Sequence, residues 1–343
     1  MTKNANASFS DKMKLLTPSM IMAVFVLIVQ VGALWLSATE YIESQPPLEN
    51  PESYGYSIYY IIVLLVVSAL LVYLIKINKT LVIRTLIYFS IFMTLWFVFA
   101  TVIDMIVEIQ YLEIVAIAFS LIFTILIYKY PEWYIIDIAG LLIATGACSV
   151  IGSSLSYMPI IAIMVALLIY DFISVYKTKH MLTLAHGMMD LKLPILFVIP
   201  KTWNYSYIKE DFSGEKDITN PGKEEVKAES IEQTESAEKS IEENTKAHED
   251  EDKKGELGAL FMGLGDAVIP TLLVISANHF LEYDGWISTP SLFTIIGTFV
   301  GFMALMYVVS NGKPQAGLPF LNTGAILGFF IGVFVSGTTI AII

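Results

Sequence analysis

Leu257-Gly-Ala-Leu-Phe-Met-Gly263-Leu264-Gly265-Asp266 sets a carboxylate ten residues after Glu256, inside an apolar run that continues through Val268, Ile269, Leu272, Leu273, Val274 and Ile275. If the run lies in lipid, Asp266 is a charge in hydrocarbon. That costs several kcal/mol, and such residues mark ion paths, proton relays or catalysis. Gly263 and Gly265 leave bare backbone beside the carboxylate, so a neighbouring helix or an extended peptide can approach closely. What Asp266 does depends on whether the chain is a membrane protein.

The composition answers that question. Of 343 residues, 56% are hydrophobic and 15% charged, with a mean hydropathy of +0.68. Soluble domains carry about 25% charged residues and fewer unbroken apolar runs. The chain reads as an all-α polytopic membrane protein. The single cysteine, Cys148, lies within an apolar run and excludes a disulfide framework. The net charge of −12 is mostly local, because residues 201–256 hold seventeen Asp and Glu against nine Lys. No basic surface points to nucleic acid.

Apolar runs occur at 19–38, 57–75, 83–103, 111–128, 133–152, 157–176, 257–279, 289–310 and 317–342. Each is long enough to cross a ~30 Å hydrocarbon core as a helix, which gives nine expected spans. Lys12 and Lys14 before the first run superficially resemble a secretion signal, but the run exceeds the apolar core of a cleaved signal. Taking the connections alternately, one side receives Lys3, Lys12, Lys14, Lys76, Lys79, Arg84, Lys129, Lys177, Lys179, Lys192 and Lys313, besides the nine lysines of 201–256. The opposite side receives none. The positive-inside rule therefore puts the N-terminus and the acidic loop in the cytoplasm and the C-terminus outside.

Three units follow: a six-span half, 1–200; an acidic loop, 201–256, expected to be disordered; and a three-span half, 257–343. After the sixth span, Met181–Leu191 has the pattern of a short interfacial helix. Leu193–Pro200 is too short to span, and its β-branched residues favour an extended strand. Glycines 297, 301, 324, 328 and 332 recur at helical spacing and read as close helix packing. Without an evident internal repeat, inverted-repeat transporters are disfavoured.

Two acids lie well inside the expected hydrocarbon, Asp171 after Tyr170 in the sixth span and Asp266 in the seventh. Asp171 is six residues from Lys177, about 9 Å at the helical rise, so both acids fall in the cytoplasmic half of the bilayer. Two carboxylates in a low-dielectric site share a proton and titrate as a pair. One can then take a proton from water while the other hydrogen-bonds a scissile carbonyl, with no metal or cofactor. Ser153 and Ser154 lack a basic partner in the sequence, and His279 falls near the far end of span seven. Asp137 lies one turn inside the fifth span, where a polar contact would offset its immersion. A third stretch, Gly317-Leu-Pro319-Phe320-Leu321-Asn322, opens the ninth span. Gly317 and Pro319 predict irregular backbone there, able to hold a substrate segment.

Together these stretches resemble the presenilin and signal peptide peptidase family, the GxGD intramembrane aspartyl proteases. The carriers are Tyr170-Asp171 in span six, Gly263-Leu264-Gly265-Asp266 in span seven and the Pro-x-Leu of Pro319, Phe320 and Leu321 at span nine. Residues 170–181 (YDFISVYKTKHM) look most like archaeal presenilin homologues, which implies a prokaryotic cell membrane. The resemblance implies catalysis by Asp171 and Asp266. Tyr170, Gly263, Leu264, Gly265, Pro319, Phe320 and Leu321 would support them or bind substrate. Phe320 departs from the family's usual alanine in the third motif. The implied partners are transmembrane proteins or peptides within the bilayer, and self-association is left open. The alternatives are a transporter or ion-leak channel relaying protons or cations through the two aspartates, and a non-catalytic scaffold.

Overall fold

The computed structural model describes residues 2–43, 48, 50–77, 79–106, 111–173, 196–201, 205–208, 258–283, 285–309 and 317–338. The elements in order are α1 (Thr2–Ser37), α2 (Glu40–Glu43), α3 (Tyr54–Lys76), α4 (Thr80–Ile106), α5 (Leu112–Lys129), α6 (Trp133–Ser154) and α7 (Tyr157–Ile173). Then come β1 (Leu196–Pro200), β2 (Ala259–Gly263), α8 (Leu264–Phe280), α9 (Thr289–Val309) and α10 (Leu318–Ser336). The expected interfacial helix at Met181–Leu191 and nearly all of the acidic loop lie outside the described residues.

Among the described residues seven segments are long and apolar enough to cross a membrane: Thr17–Ser37 of α1, Tyr54–Ile75 of α3, and α4, α5, α6, α9 and α10. The helices at the expected sixth and seventh spans, α7 and α8, are apolar but have 17 residues each. At 1.5 Å per residue each rises about 26 Å, a little under the ~30 Å core.

Two expectations change. The seventh span does not begin at Leu257, because Ala259–Gly263 forms a strand and the helix starts only at Leu264. Asp266 is therefore in the first turn of a helix rather than several turns deep. The run Ala-Leu-Phe-Met carries no period that separates a buried strand from a buried helix. The start of the ninth span is also regular rather than open. Pro319 sits in the first turn of α10, where a missing N–H costs nothing, and the amides of Phe320 and Leu321 donate to the Gly317 carbonyl at 3.2 and 3.3 Å.

Helix α8 is the hub, touching α1, α6, α7, α9 and α10. It is buried on all faces from Thr271 to Ala277, as expected of a helix apolar all round. Hydroxyls join it to its neighbours: Ser276 donates to the Leu155 carbonyl at 2.6 Å, and Ser291 of α9 to the Val274 carbonyl at 2.8 Å. Such bonds hold membrane helices where no hydrophobic drive exists between them.

The glycine stripe packs α9 against α10. A Cβ on Gly297 would meet the Gly324 carbonyl and lie 2.9 Å from Gly328 Cα; one on Gly332 would lie 2.6 Å from Pro290 Cα. Overpacking of this kind costs about 1–3 kcal/mol. Gly297→Leu is expected to lower the melting temperature of the detergent-solubilised protein by several degrees. An unchanged melting temperature would refute the close-packing account.

Candidate active site

The strand pair β1–β2 is antiparallel, with Leu196 opposite Gly263 and Val198 opposite Phe261. The Lys201 amide donates to the Gly258 carbonyl at 2.9 Å, so hydrogen-bonded positions alternate from there through Ile199 and Phe197. Pro200, which has no N–H, falls at an intervening position where the ladder needs none. Gly263, opposite Leu196, also falls at an intervening position and points its amide away from β1.

That amide donates to the Asp266 carboxylate. Gly263 is the N-cap of α8, and Asp266 is its third residue. A side chain at that position reaching back to the cap amide is half of a capping box. The helix N-terminus also favours a negative charge. Four residues on, Pro270 has no N–H to offer the Asp266 carbonyl, so the first turn is loosened at the carboxylate.

Asp171, near the end of α7, is buried at 4% exposure and lies within electrostatic reach of Asp266. Its Oδ2 has no hydrogen-bond partner among the described residues. The third stretch closes on the same place. A Cβ on Gly317 would lie 2.8 Å from Asp266 Oδ2, 3.1 Å from Cγ and 3.3 Å from Oδ1, so the bare backbone at the start of α10 rests on this carboxyl. The three stretches are far apart in sequence and converge on one point.

The other expected site residues separate into groups. Gly263 holds Asp266 directly. Among the described residues nothing lies within 4 Å of a Cβ built on Gly265, which faces open space beside the carboxyl. Leu264 packs into the main core and lies against Gly140, whose Cβ would sit 3.2 Å from Leu264 Cδ1. Pro319 starts α10, Phe320 lines the core with its carbonyl against Gly301, and Leu321 is fully buried. Half-buried Tyr170 makes no hydrogen bond to either carboxyl among the described residues.

Three neighbours lacked a sufficient signal in sequence. Gly317 is the closest, and only the fold reveals its contact. Asn322, fully buried, donates from Nδ2 to the Met164 carbonyl at 3.3 Å and ties α10 to the Asp171 helix. Asp137 accepts the Val198 amide on Oδ1 at 2.7 Å. Among the described residues no cluster of three or more His, Cys, Asp or Glu is placed to hold a metal ion.

Comparison with known proteins bears on this arrangement. Residues 22–338 match the family described as signal-peptide peptidase, presenilin aspartyl protease. The fold is similar to a presenilin family intramembrane aspartate protease solved in two crystal forms. In the C222 form the TM-score is 0.59 at 28% identity, covering 93% of this chain and 98% of that one. In the P2 form it is 0.60 at 28% identity, covering 92% and 96%. No curated protein matches the chain. With its apolar helices, this makes the protein an integral, multi-pass membrane protein. The match spans all three stretches that meet at Asp266, and the chain belongs to the signal-peptide peptidase and presenilin family of aspartyl proteases.

Proposed function

We propose that Asp171 and Asp266 are the catalytic pair of this intramembrane aspartyl protease, which hydrolyses peptide bonds in membrane-spanning segments of other proteins. The observation that carries the assignment is convergence: two carboxyls from different helices lie within reach of each other, and the bare backbone of Gly317 rests on one of them. One carboxylate takes a proton from water, and the resulting hydroxide adds to the scissile carbonyl carbon. The other carboxyl donates its proton to the carbonyl oxygen. Collapse of the tetrahedral adduct breaks the C–N bond: the proton held by the first carboxyl passes to the leaving amine, and the second, now a carboxylate, takes back a proton from a hydroxyl of the adduct. The chemistry draws only on water and the two acids.

In this reading α7 and α8 also cross the bilayer, completing nine spans with the N-terminus cytoplasmic and the C-terminus outside. Residues 1–200 and 257–343 are then two halves that each bring one acid, joined by the cytoplasmic segment 201–256.

A helical substrate must be unwound before its peptide bond is accessible, and in lipid the freed amides and carbonyls need partners. Two places on the enzyme are candidates to supply them, the outer edge of β1 and the start of α10. The outward amide of Val198 is occupied by Asp137, and the amides of Phe320 and Leu321 are occupied by Gly317. Unwound substrate is therefore assigned to the open space beside Gly265.

The pair predicts a bell-shaped dependence of rate on pH, because one carboxyl must be ionised and the other protonated. The optimum is expected near neutrality or on its acid side, measured on a membrane-spanning substrate in detergent or vesicles. A rate still climbing past about pH 9 would require a different base.

A further inference from the structure

The two strands that lead to Asp266 need a mount, and the cytoplasmic end of α6 provides one. Four positions on that end, Glu132, Ile136, Asp137 and Gly140, share one helical face by their spacing. Glu132, the N-cap, accepts the Ser206 hydroxyl on Oε1 at 2.8 Å and the Tyr207 amide on Oε2 at 3.2 Å. Ile136 is fully buried in a small cluster with Val198 of β1, Ala259 of β2 and Tyr207. The Tyr207 phenol is pushed up from its ordinary range by burial and stays neutral there. At Gly140 a Cβ would come within 3.0 Å of the Phe197 ring and 3.2 Å of Leu264, so the bare backbone lets β1 and the start of α8 both pack closely on α6. Among these contacts only the bond from the Val198 amide to Asp137 is a directed link between α6 and a strand backbone.

Asp137 is 3% exposed. Its Oδ1 takes the outward amide of β1, and its Oδ2 has no partner among the described residues. An acid immersed this far is costly to keep. A packing role alone would be met by leucine. Val198 lies opposite Phe261, two residues before the Gly263 amide that holds Asp266. A shift of β1 on α6 would therefore travel through the ladder to the cap of α8.

We propose that Asp137 is a positioning residue for the reaction: by accepting the Val198 amide it locks the two-stranded sheet to α6, and through β2 it fixes the turn that places the Asp266 carboxyl. The inference rests on Asp266 being catalytic. It also accounts for the side of the sheet left to substrate, because a carboxylate clamped on the outer edge of β1 excludes a peptide strand from that edge.

The test compares Asp137→Asn, Asp137→Ala and Val198→Pro, reading kcat, KM, melting temperature and the distribution of cut bonds in one membrane-spanning substrate. Asparagine keeps an oxygen to accept the Val198 amide, so it is expected to retain at least half of the wild-type kcat and the same principal cut. Alanine is expected to lower kcat at least tenfold in the folded protein and to spread cleavage over neighbouring bonds. Proline at 198 deletes the donor at a position where the ladder loses nothing, and is expected to reproduce the alanine pattern. Adding Asp137→Asn to Val198→Pro should then bring no further loss, since both act on one bond. Asparagine as damaging as alanine would overturn the proposal, because the acid rather than the acceptor would be needed. It would equally fall if alanine lowered only the melting temperature and left kcat and cut positions unchanged. Should Asp137→Ala not fold, the proline variant and its combination with asparagine decide alone. If Asp266→Ala abolishes cleavage while Asp137→Ala is wild-type, only this inference falls; if Asp266→Ala still cleaves, the catalytic assignment falls first.

Discussion

Replacing either Asp171 or Asp266 with alanine is expected to lower proteolysis by at least ~10⁴-fold, while the protein still inserts and melts within a few degrees of wild type. The effect is large because, in the proposed mechanism, the two carboxyls divide one task. Loss of the base leaves water unactivated, and loss of the acid leaves the developing oxyanion without a proton. The double variant should be no worse than either single one, since residues that act as a unit are strongly non-additive. Asparagine should be nearly as damaging at either place, because an amide neither accepts a proton from water nor donates one to the carbonyl. Stability should survive for a structural reason. Among the described residues Asp171 Oδ2 makes no hydrogen bond, so alanine removes a buried polar atom without orphaning a partner there. At Asp266 the lost bond is one cap amide at a helix start, worth about 1 kcal/mol. Cleavage of a membrane-spanning substrate by purified variants is the measurement. One single variant with near wild-type activity would remove that aspartate from the mechanism.

The helical plan was legible because lipid imposes it. Runs such as 133–152 and 289–310 have no alternative to a helix in lipid. Asp171 and Asp266 stood out because acids are rare in such runs. Lipid does not specify where an apolar run stops being helix, and there the sequence misled. Leu260, Phe261 and Met262 are as apolar as the helix after them, yet they pair with β1, and the glycine that ends the strand is the one that caps α8. The extended reading of Leu193–Pro200 holds for the described part because Phe197, Val198 and Ile199 pack on both faces of a short strand. Pro319 suggested broken backbone, whereas a proline in a first helical turn is simply at home. Gly317 and Gly140 were beyond sequence reasoning for a different reason. What makes them necessary is an atom of another element, the Asp266 carboxyl in one case and the Phe197 ring in the other.

Gly317 yields the second large effect. Its hypothetical Cβ would press on all three terminal atoms of Asp266, with the nearest at 2.8 Å. That distance is shorter than real Cβ contacts, so either the carboxyl rotates away or the first turn of α10 retreats. The retreat is resisted, because Gly301 of α9 already holds this turn against its own backbone, 3.2 Å from Leu321 Cα by the same construction. The carboxyl must yield, and in doing so it leaves the Gly263 amide that holds it. A misplacement of about 1 Å in a reacting group costs on the order of 10²-fold in rate. Gly317→Val is expected to lose activity by about that factor in kcat, with Gly317→Ala intermediate, at roughly tenfold. Affinity for a transition-state-type aspartyl protease inhibitor should fall in parallel, since the inhibitor needs the same geometry. Gly265 is the contrasting site. A methyl there meets nothing within 4 Å, so Gly265→Ala should leave melting temperature at or above wild type, with alanine the better helix former. Any loss it causes should appear in KM or in the choice of bond, because the methyl projects into the space assigned to substrate. If Gly317→Val cleaves at the wild-type rate and binds the inhibitor undiminished, then the start of α10 does not set the position of Asp266.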